Sequence, residues 1–120
     1  MPVVFIYALP PPEPERVDVC LSAVVHAITA AIHCAPDTVW AHWVDVRAMH
    51  IGERPQGFDG HCPAIVIRAR PGRSTTAVAS ALQAVAEAAA LALDLPVEDV
   101  WACWENTSPG AVFSGGTVHL

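Results

Sequence analysis

Six arginines carry all the formal positive charge of this 120-residue chain, and three of them, Arg68, Arg70 and Arg73, fall within one short segment. Acidic residues outnumber basic ones 12 to 6, so a chain of formal charge −6 has concentrated half its cations in one place. A planar guanidinium fork grips a carboxylate through two parallel N–H···O contacts and stabilises negative charge developing on a nearby oxygen. The cluster suits a small anionic ligand; a strand edge blunted by charge is the plainer alternative. Pro2 is the second chemically notable residue. A small residue behind the initiator methionine lets that methionine be removed, which exposes a secondary amine. An ordinary α-amino group titrates near roughly 7.7–8.0, and neighbouring cations or desolvation lower that value by disfavouring the charged form. The neutral nitrogen is then a base at physiological pH.

The remaining composition narrows the chemistry. Cys20, Cys34, Cys62 and Cys103 show neither CxxC pairing nor the spacing of a zinc site or disulfide framework, so free thiols in a reducing compartment are expected. The six histidines are scattered, and His42 beside Trp43 reads as part of a strand; no metal is expected. Net acidity argues against a nucleic-acid surface. No run approaches roughly 20 uninterrupted apolar residues and no basic-then-apolar leader opens the chain, so neither a membrane partner nor an export signal is expected, and the expected location is cytoplasmic.

The elements that must position these residues come from a duplication. Pro2-Val-Val-Phe-Ile-Tyr-Ala-Leu-Pro10 aligns with Pro63-Ala-Ile-Val-Ile-Arg-Ala-Arg-Pro71 at an offset of 61, and the same offset lays Val39-Trp40-Ala41-His42-Trp43 on Val100-Trp101-Ala102-Cys103-Trp104. Each half reads strand, helix, strand. The strands are residues 2–9, 39–46, 63–70 and 100–105, rich in β-branched and aromatic residues. Between them, Val17, Leu21, Val24, Ile28 and Ile32 recur at helical spacing, as do Val78, Leu82, Val85 and Ala89. Pro14 suits a first helical turn, Ser74 an N-cap, and Pro36 and Pro96 follow the helix ends. The expectation is an α/β (α+β) fold: one domain over 1–120, built as two tandem βαβ units (2–48 and 63–120, joined by 49–62). Together they form a four-stranded sheet with both helices on one face. Arg68 and Arg70 alternate on the second unit's first strand and share a face, with Arg73 just beyond it. Ser114-Gly115-Gly116 is expected to form a hairpin or to pack on a neighbouring subunit. Helices bland outside their apolar stripes, and a sheet with one face still to cover, call for oligomerisation.

Pro2, the duplication and the segment Arg70-Pro71-Gly72-Arg73-Ser74 together resemble the tautomerase superfamily over nearly the whole chain. The second half is most similar to 4-oxalocrotonate tautomerase, with Gly72-Arg73-Ser74 closing its first strand and Phe113 followed by Gly115-Gly116 near the end. Arg70 and Arg73 resemble the arginines of cis-3-chloroacrylic acid dehalogenase, while His42-Trp43-Val44-Asp45 and Met49 resemble 5-carboxymethyl-2-hydroxymuconate isomerase. The resemblance implies a cofactor-independent tautomerase fold that assembles as a homotrimer, since single-unit relatives need six chains for the same assembly. It implies Pro2 as the catalytic base and Arg70 and Arg73 as holders of the substrate's carboxylate and enolate oxygens. Trp101 and Phe113 are expected to wall the pocket, although 4-oxalocrotonate tautomerase carries an arginine at the place of Trp101. Arg68, Asp37 and Trp104 are further candidates. Pro63 holds the place equivalent to Pro2, but its nitrogen is locked in an amide, so one centre per chain is expected.

The expected reaction is keto–enol proton transfer on a small anionic 2-oxo or 2-hydroxy-dienoic acid. Two alternatives accompany it: Pro2-dependent decarboxylation, hydration or dehalogenation of a small three-carbon acid, and a catalytically silent trimer that binds a ligand. Asp37 lies in roughly the region, near the end of the first helix, where malonate semialdehyde decarboxylase uses an acid, and it also suits an ordinary turn. No Asp or Glu follows Glu105, which disfavours the dehalogenase chemistry.

Overall fold

An unbroken run of β-branched and apolar residues extends as β1 (Val3–Ala8), and its period of two buries Val4, Ile6 and Ala8 while Val3, Phe5 and Tyr7 turn to the other face. Its repeat partner β5 (Ala64–Ala69) buries Ile65, Ile67 and Ala69 in the same way. The computed structural model describes residues 2–57 and 62–120. Helix α1 (Glu15–Ile32) links β1 to β2 (Trp40–Asp45), and α2 (Thr75–Leu93) links β5 to β6 (Trp101–Asn106). Strand β1 pairs parallel with β2, β5 pairs parallel with β6, and β1 and β5 meet antiparallel at the centre, giving the order β2-β1-β5-β6. Two tandem βαβ units thus share one four-stranded sheet.

Both helices cover the same face. Cys20, Val24 and Ile28 of α1 and Val85, Ala89 and Leu93 of α2 join Val4, Ile6, Ile65 and Ile67 in a single core. The spacing of four in Cys20, Val24 and Ile28 is the ridge that meets sheet and partner helix together. Val17, Leu21 and Ile32, read from sequence as equal members of the stripe, flank it half-buried, as do Val78 and Leu82 on α2. By length and composition α2 could span a bilayer, with a mean hydropathy of 1.5, but Ala81, Val85, Ala89, Ala90 and Leu93 bury its inner side in this core.

The duplication extends to details of the backbone. Trp40 N–H donates to the Pro2 carbonyl at 3.1 Å, as Trp101 N–H does to Pro63 at 3.0 Å. Trp43 Nε1 donates to Asp45 and Trp104 Nε1 to Asn106, at 2.8 and 3.1 Å. Both helices end on a left-handed residue that is not glycine, His33 (φ 55°) and Asp94 (φ 57°). Pro36 and Pro96 then introduce short 3-10 turns. Ser74 caps α2, its Oγ accepting from Ala77 N–H at 3.1 Å, and Pro14 stands at the N-cap of α1 rather than inside the first turn.

Among the described residues, two hairpins lie outside the sheet. In the connection, β3 (His50–Ile51) and β4 (Arg54–Pro55) turn at Gly52, while Gly60 of that connection lies outside the described residues. In the tail, β7 (Val112–Ser114) and β8 (Thr117–His119) pair antiparallel around Gly115 (φ 61°) and Gly116 (φ 88°). Positive φ at both central positions is the tight turn whose twist matches a hairpin, and glycine adopts it without strain. The tail therefore forms the hairpin that was one of its two expected fates.

His33 pays the steric cost of the left-handed region that glycine avoids. His33→Gly is expected to raise stability by about 0.5–1 kcal/mol, read as a shift of the urea midpoint without a change of slope.

Candidate functional site

Where the chemistry-bearing residues meet is set by the central pair. Val3 lies opposite Arg68 and Tyr7 opposite Ala64, so the start of β1, just after Pro2, adjoins the end of β5 at Arg68. Pro2 is fully buried. Met1, whose removal would free its nitrogen, lies outside the described residues. At the other end of the same pair Pro63, also fully buried, begins β5 beside the end of β1. There the residues equivalent to Arg68, Arg70 and Arg73 are Tyr7, Leu9 and Pro12, so the two ends share a backbone and differ in charge.

A hollow of about 910 Å³ opens beside the Pro2 end, within the size range of small-molecule sites. Val3 and Phe5 contribute from β1, Arg68 and Arg70 from β5, and the tail hairpin folds back to supply a wall that includes Ser114 and His119. Arg68 is engaged on the open face of the sheet: its Nε donates to Glu105 Oε2 at 2.9 Å, and its guanidinium stands 5.5 Å from the centre of the Phe5 ring. Phe5 in turn stacks on His42, with centroids 5.1 Å apart. The Arg70 side chain is exposed and donates through Nη2 to Nδ1 of His119, whose Nε2 lies 2.7 Å from Ser114 Oγ.

Of the residues singled out from sequence, Arg68 and Arg70 line the hollow together. Arg73 is turned away from it: its guanidinium lies over the Trp104 ring, 5.7 Å from the centroid, and its Nη1 donates to the Arg70 carbonyl at 3.3 Å. Trp104 packs its other side against the core. Trp101 is paired with Ala64, at the Pro63 end of the sheet, and is 58% exposed. The aromatic at the Pro2 end is its repeat mate Trp40, which is paired with Val3 and 52% exposed. Phe113 lies between two residues that line the hollow, Val112 and Ser114, and alternation puts it on the outer side of β7, where it is 70% exposed. Asp37 is exposed in the 3-10 turn that leads into β2. His119 and Ser114 were not singled out. The paired glycines foretell the hairpin, but nothing local tells which part of the fold it docks on.

Thiol chemistry is poorly supported. Burial pushes the Cys20 thiol up to about 11. Cys103 on the open face is also raised, first by desolvation and then by Glu105, with Arg68 pulling the other way. Thiols held protonated are weak nucleophiles. Among the described residues no group of three or more His, Cys, Asp or Glu side chains is arranged to hold a metal ion.

With this geometry in hand, the chain has the tautomerase fold in its fused, two-unit form. A structure described as a fused 4-OT wild type asymmetric trimer superposes with a TM-score of 0.87 at 16% identity, over 97% of this chain and 94% of that one. A member of the cis-3-chloroacrylic acid dehalogenase family gives 0.80 at 16% identity, covering 98% and 83% of the two chains. Macrophage migration inhibitory factor of Toxoplasma gondii gives 0.74 at 19%, covering 97% and 98%. No family model and no curated protein sequence matches this chain.

Arg68 and Glu105 are about half exposed, at 44% and 52%, and an ion pair so open to water contributes at most about 1 kcal/mol. Glu105→Gln is accordingly expected to leave stability within about 1 kcal/mol of the parent in a denaturant titration.

Proposed function

We propose that the chain is a tautomerase-superfamily enzyme catalysing cofactor-independent keto–enol proton transfer on a small anionic 2-oxo or 2-hydroxy-dienoic acid. The single observation that carries this reading is the antiparallel register of β1 and β5, which sets Val3, the residue after Pro2, opposite Arg68 at a ligand-sized hollow that Arg70 also lines. In this reading Met1 is removed and the neutral secondary amine of Pro2 takes the hydroxyl proton of the enol form of the acid. Arg70 holds the carboxylate and stabilises the charge that moves onto the enolate oxygen, and the proton returns to carbon. Arg73 adds positive field and braces the Arg70 backbone. Arg68, paired with Glu105, stands beside the ligand and tunes the field.

Assembly belongs to the same reading. The sheet face away from the helices carries Phe5, Trp40, His42, Val66 and Trp101, and within one chain its two tryptophans stay more than half exposed. We propose that three copies close around this face, as the fused 4-OT structure is a trimer, and that Trp101 and Phe113 wall a neighbour's pocket. Light scattering at micromolar concentration is expected to return the mass of three chains; a stable monomer would contradict it.

A second reading, Pro2-dependent decarboxylation, draws on Asp37, which stands in the turn that enters β2 three residues before Trp40, whose N–H bonds Pro2. The two are separated by substrate: enol-to-ketone conversion of phenylpyruvate or 2-hydroxymuconate followed by absorbance, against carbon dioxide release from a 3-oxo acid. A ligand-binding trimer without activity would turn over none of them.

The intact mass of the native protein is expected to lack Met1. Pro2→Ala is expected to lower tautomerase turnover by roughly 10²-fold with the fold intact. Arg70→Ala should raise KM and lower kcat/KM for the acid by the equivalent of about 1.5–3 kcal/mol, with a much smaller effect on the neutral ester. Wild-type kinetics in both variants would defeat the assignment.

A further inference from the structure

The tail hairpin ends on a histidine fixed at three points. The His119 carbonyl accepts from Gly110 N–H at 2.6 Å, Nε2 lies 2.7 Å from Ser114 Oγ, and Nδ1 meets Nη2 of Arg70. A guanidinium has donors only, so Nδ1 must be the acceptor; the ring proton then sits on Nε2 and is donated to the Ser114 hydroxyl. The order of donation is therefore Arg70 to His119 to Ser114. Hydrophobic packing does not explain this arrangement, because the next residue, Leu120, is 99% exposed and the ring is only half-buried.

Arg70 is long, exposed and otherwise free to sample many rotamers, and a contact to one terminal nitrogen removes much of that freedom before a ligand arrives. His119 takes a single donor from the fork. The other donors of Arg70 remain for an anion in the hollow that both residues line. We infer that His119 is a positioning residue that presets Arg70 for the carboxylate of the bound acid, with Ser114 fixing the tautomer that allows it. The inference rests on the reading of Arg70 as the carboxylate anchor and is independent of Pro2.

The test uses the full chain and benzoylformate, a 2-oxo acid with no enolisable hydrogen, so binding is measured apart from turnover, with its methyl ester as the uncharged control. Calorimetry is expected to show His119→Ala binding the acid about tenfold more weakly and the ester unchanged. His119→Asn, whose Oδ1 can accept from Arg70 in place of Nδ1, should recover acid affinity to within about threefold of the parent. That rescue is read even if His119→Ala folds poorly. Equal losses for acid and ester would reduce His119 to a wall of the hollow and overturn the inference. Unchanged or tighter acid binding in His119→Ala would overturn it too, the latter because the ring would then be a plug on Arg70. Acid binding that falls in Arg70→Ala but not in His119→Ala removes this inference alone; an acid affinity indifferent to Arg70→Ala, or no acid binding by the parent, removes the anchor reading with it.

Discussion

Everything that brings this candidate site together depends on one backbone constraint, the antiparallel hydrogen-bonded register between β1 and β5. Opposed strands put the beginning of one beside the end of the other, so a residue at the start of the first repeat meets residues at the end of the strand that opens the second. Val3 opposite Arg68 is the expression of that rule here. A slip of one residue would turn Val4, Ile6, Ile65 and Ile67 out of the core, and their complete burial holds the register against slippage.

The same constraint gives the molecule two equivalent ends, and side chains make them different. Both begin with a buried proline, both hand a carbonyl to a tryptophan N–H, and both continue into matching tryptophan-to-Asp or tryptophan-to-Asn hydrogen bonds. Only the Pro2 end faces Arg68 and Arg70; the other faces Tyr7 and Leu9. Only Pro2 can become a terminal amine, so the cations and the potential base lie at the same end of the pair. Duplication supplies the scaffold twice, and substitution confines the chemistry to one copy.

The three clustered arginines do three different things within a chain. Arg68 is tied across the open face to Glu105 and lies against Phe5; Arg73 lies on Trp104 and bonds the Arg70 carbonyl; Arg70 reaches the hollow and meets the tail. The resemblance assigns Arg70 and Arg73 together to the substrate's oxygens, with Arg68 as a further candidate. Strand alternation keeps Arg68 and Arg70 on one face and the turn after β5 removes Arg73 from it, because Gly72 at φ 117° ends the extended run before Arg73.

The sequence by itself determined the duplication, the order and type of the sheet strands and helices, the apolar helix stripes and the paired glycines of the tail. These are local or periodic properties: alternation of two, helical spacing, a capping serine, paired glycines with no β-carbon to strain. It also showed that cations cluster and that a proline follows the first methionine. Only the tertiary structure decided which strand end lies beside Pro2, that Trp40 and not Trp101 occupies that end within a chain, that Phe113 faces outward, and that His119 closes on Arg70. Those are pairings between segments far apart in the chain, chosen by the burial of whole faces and the docking of a hairpin, and no local spacing encodes them.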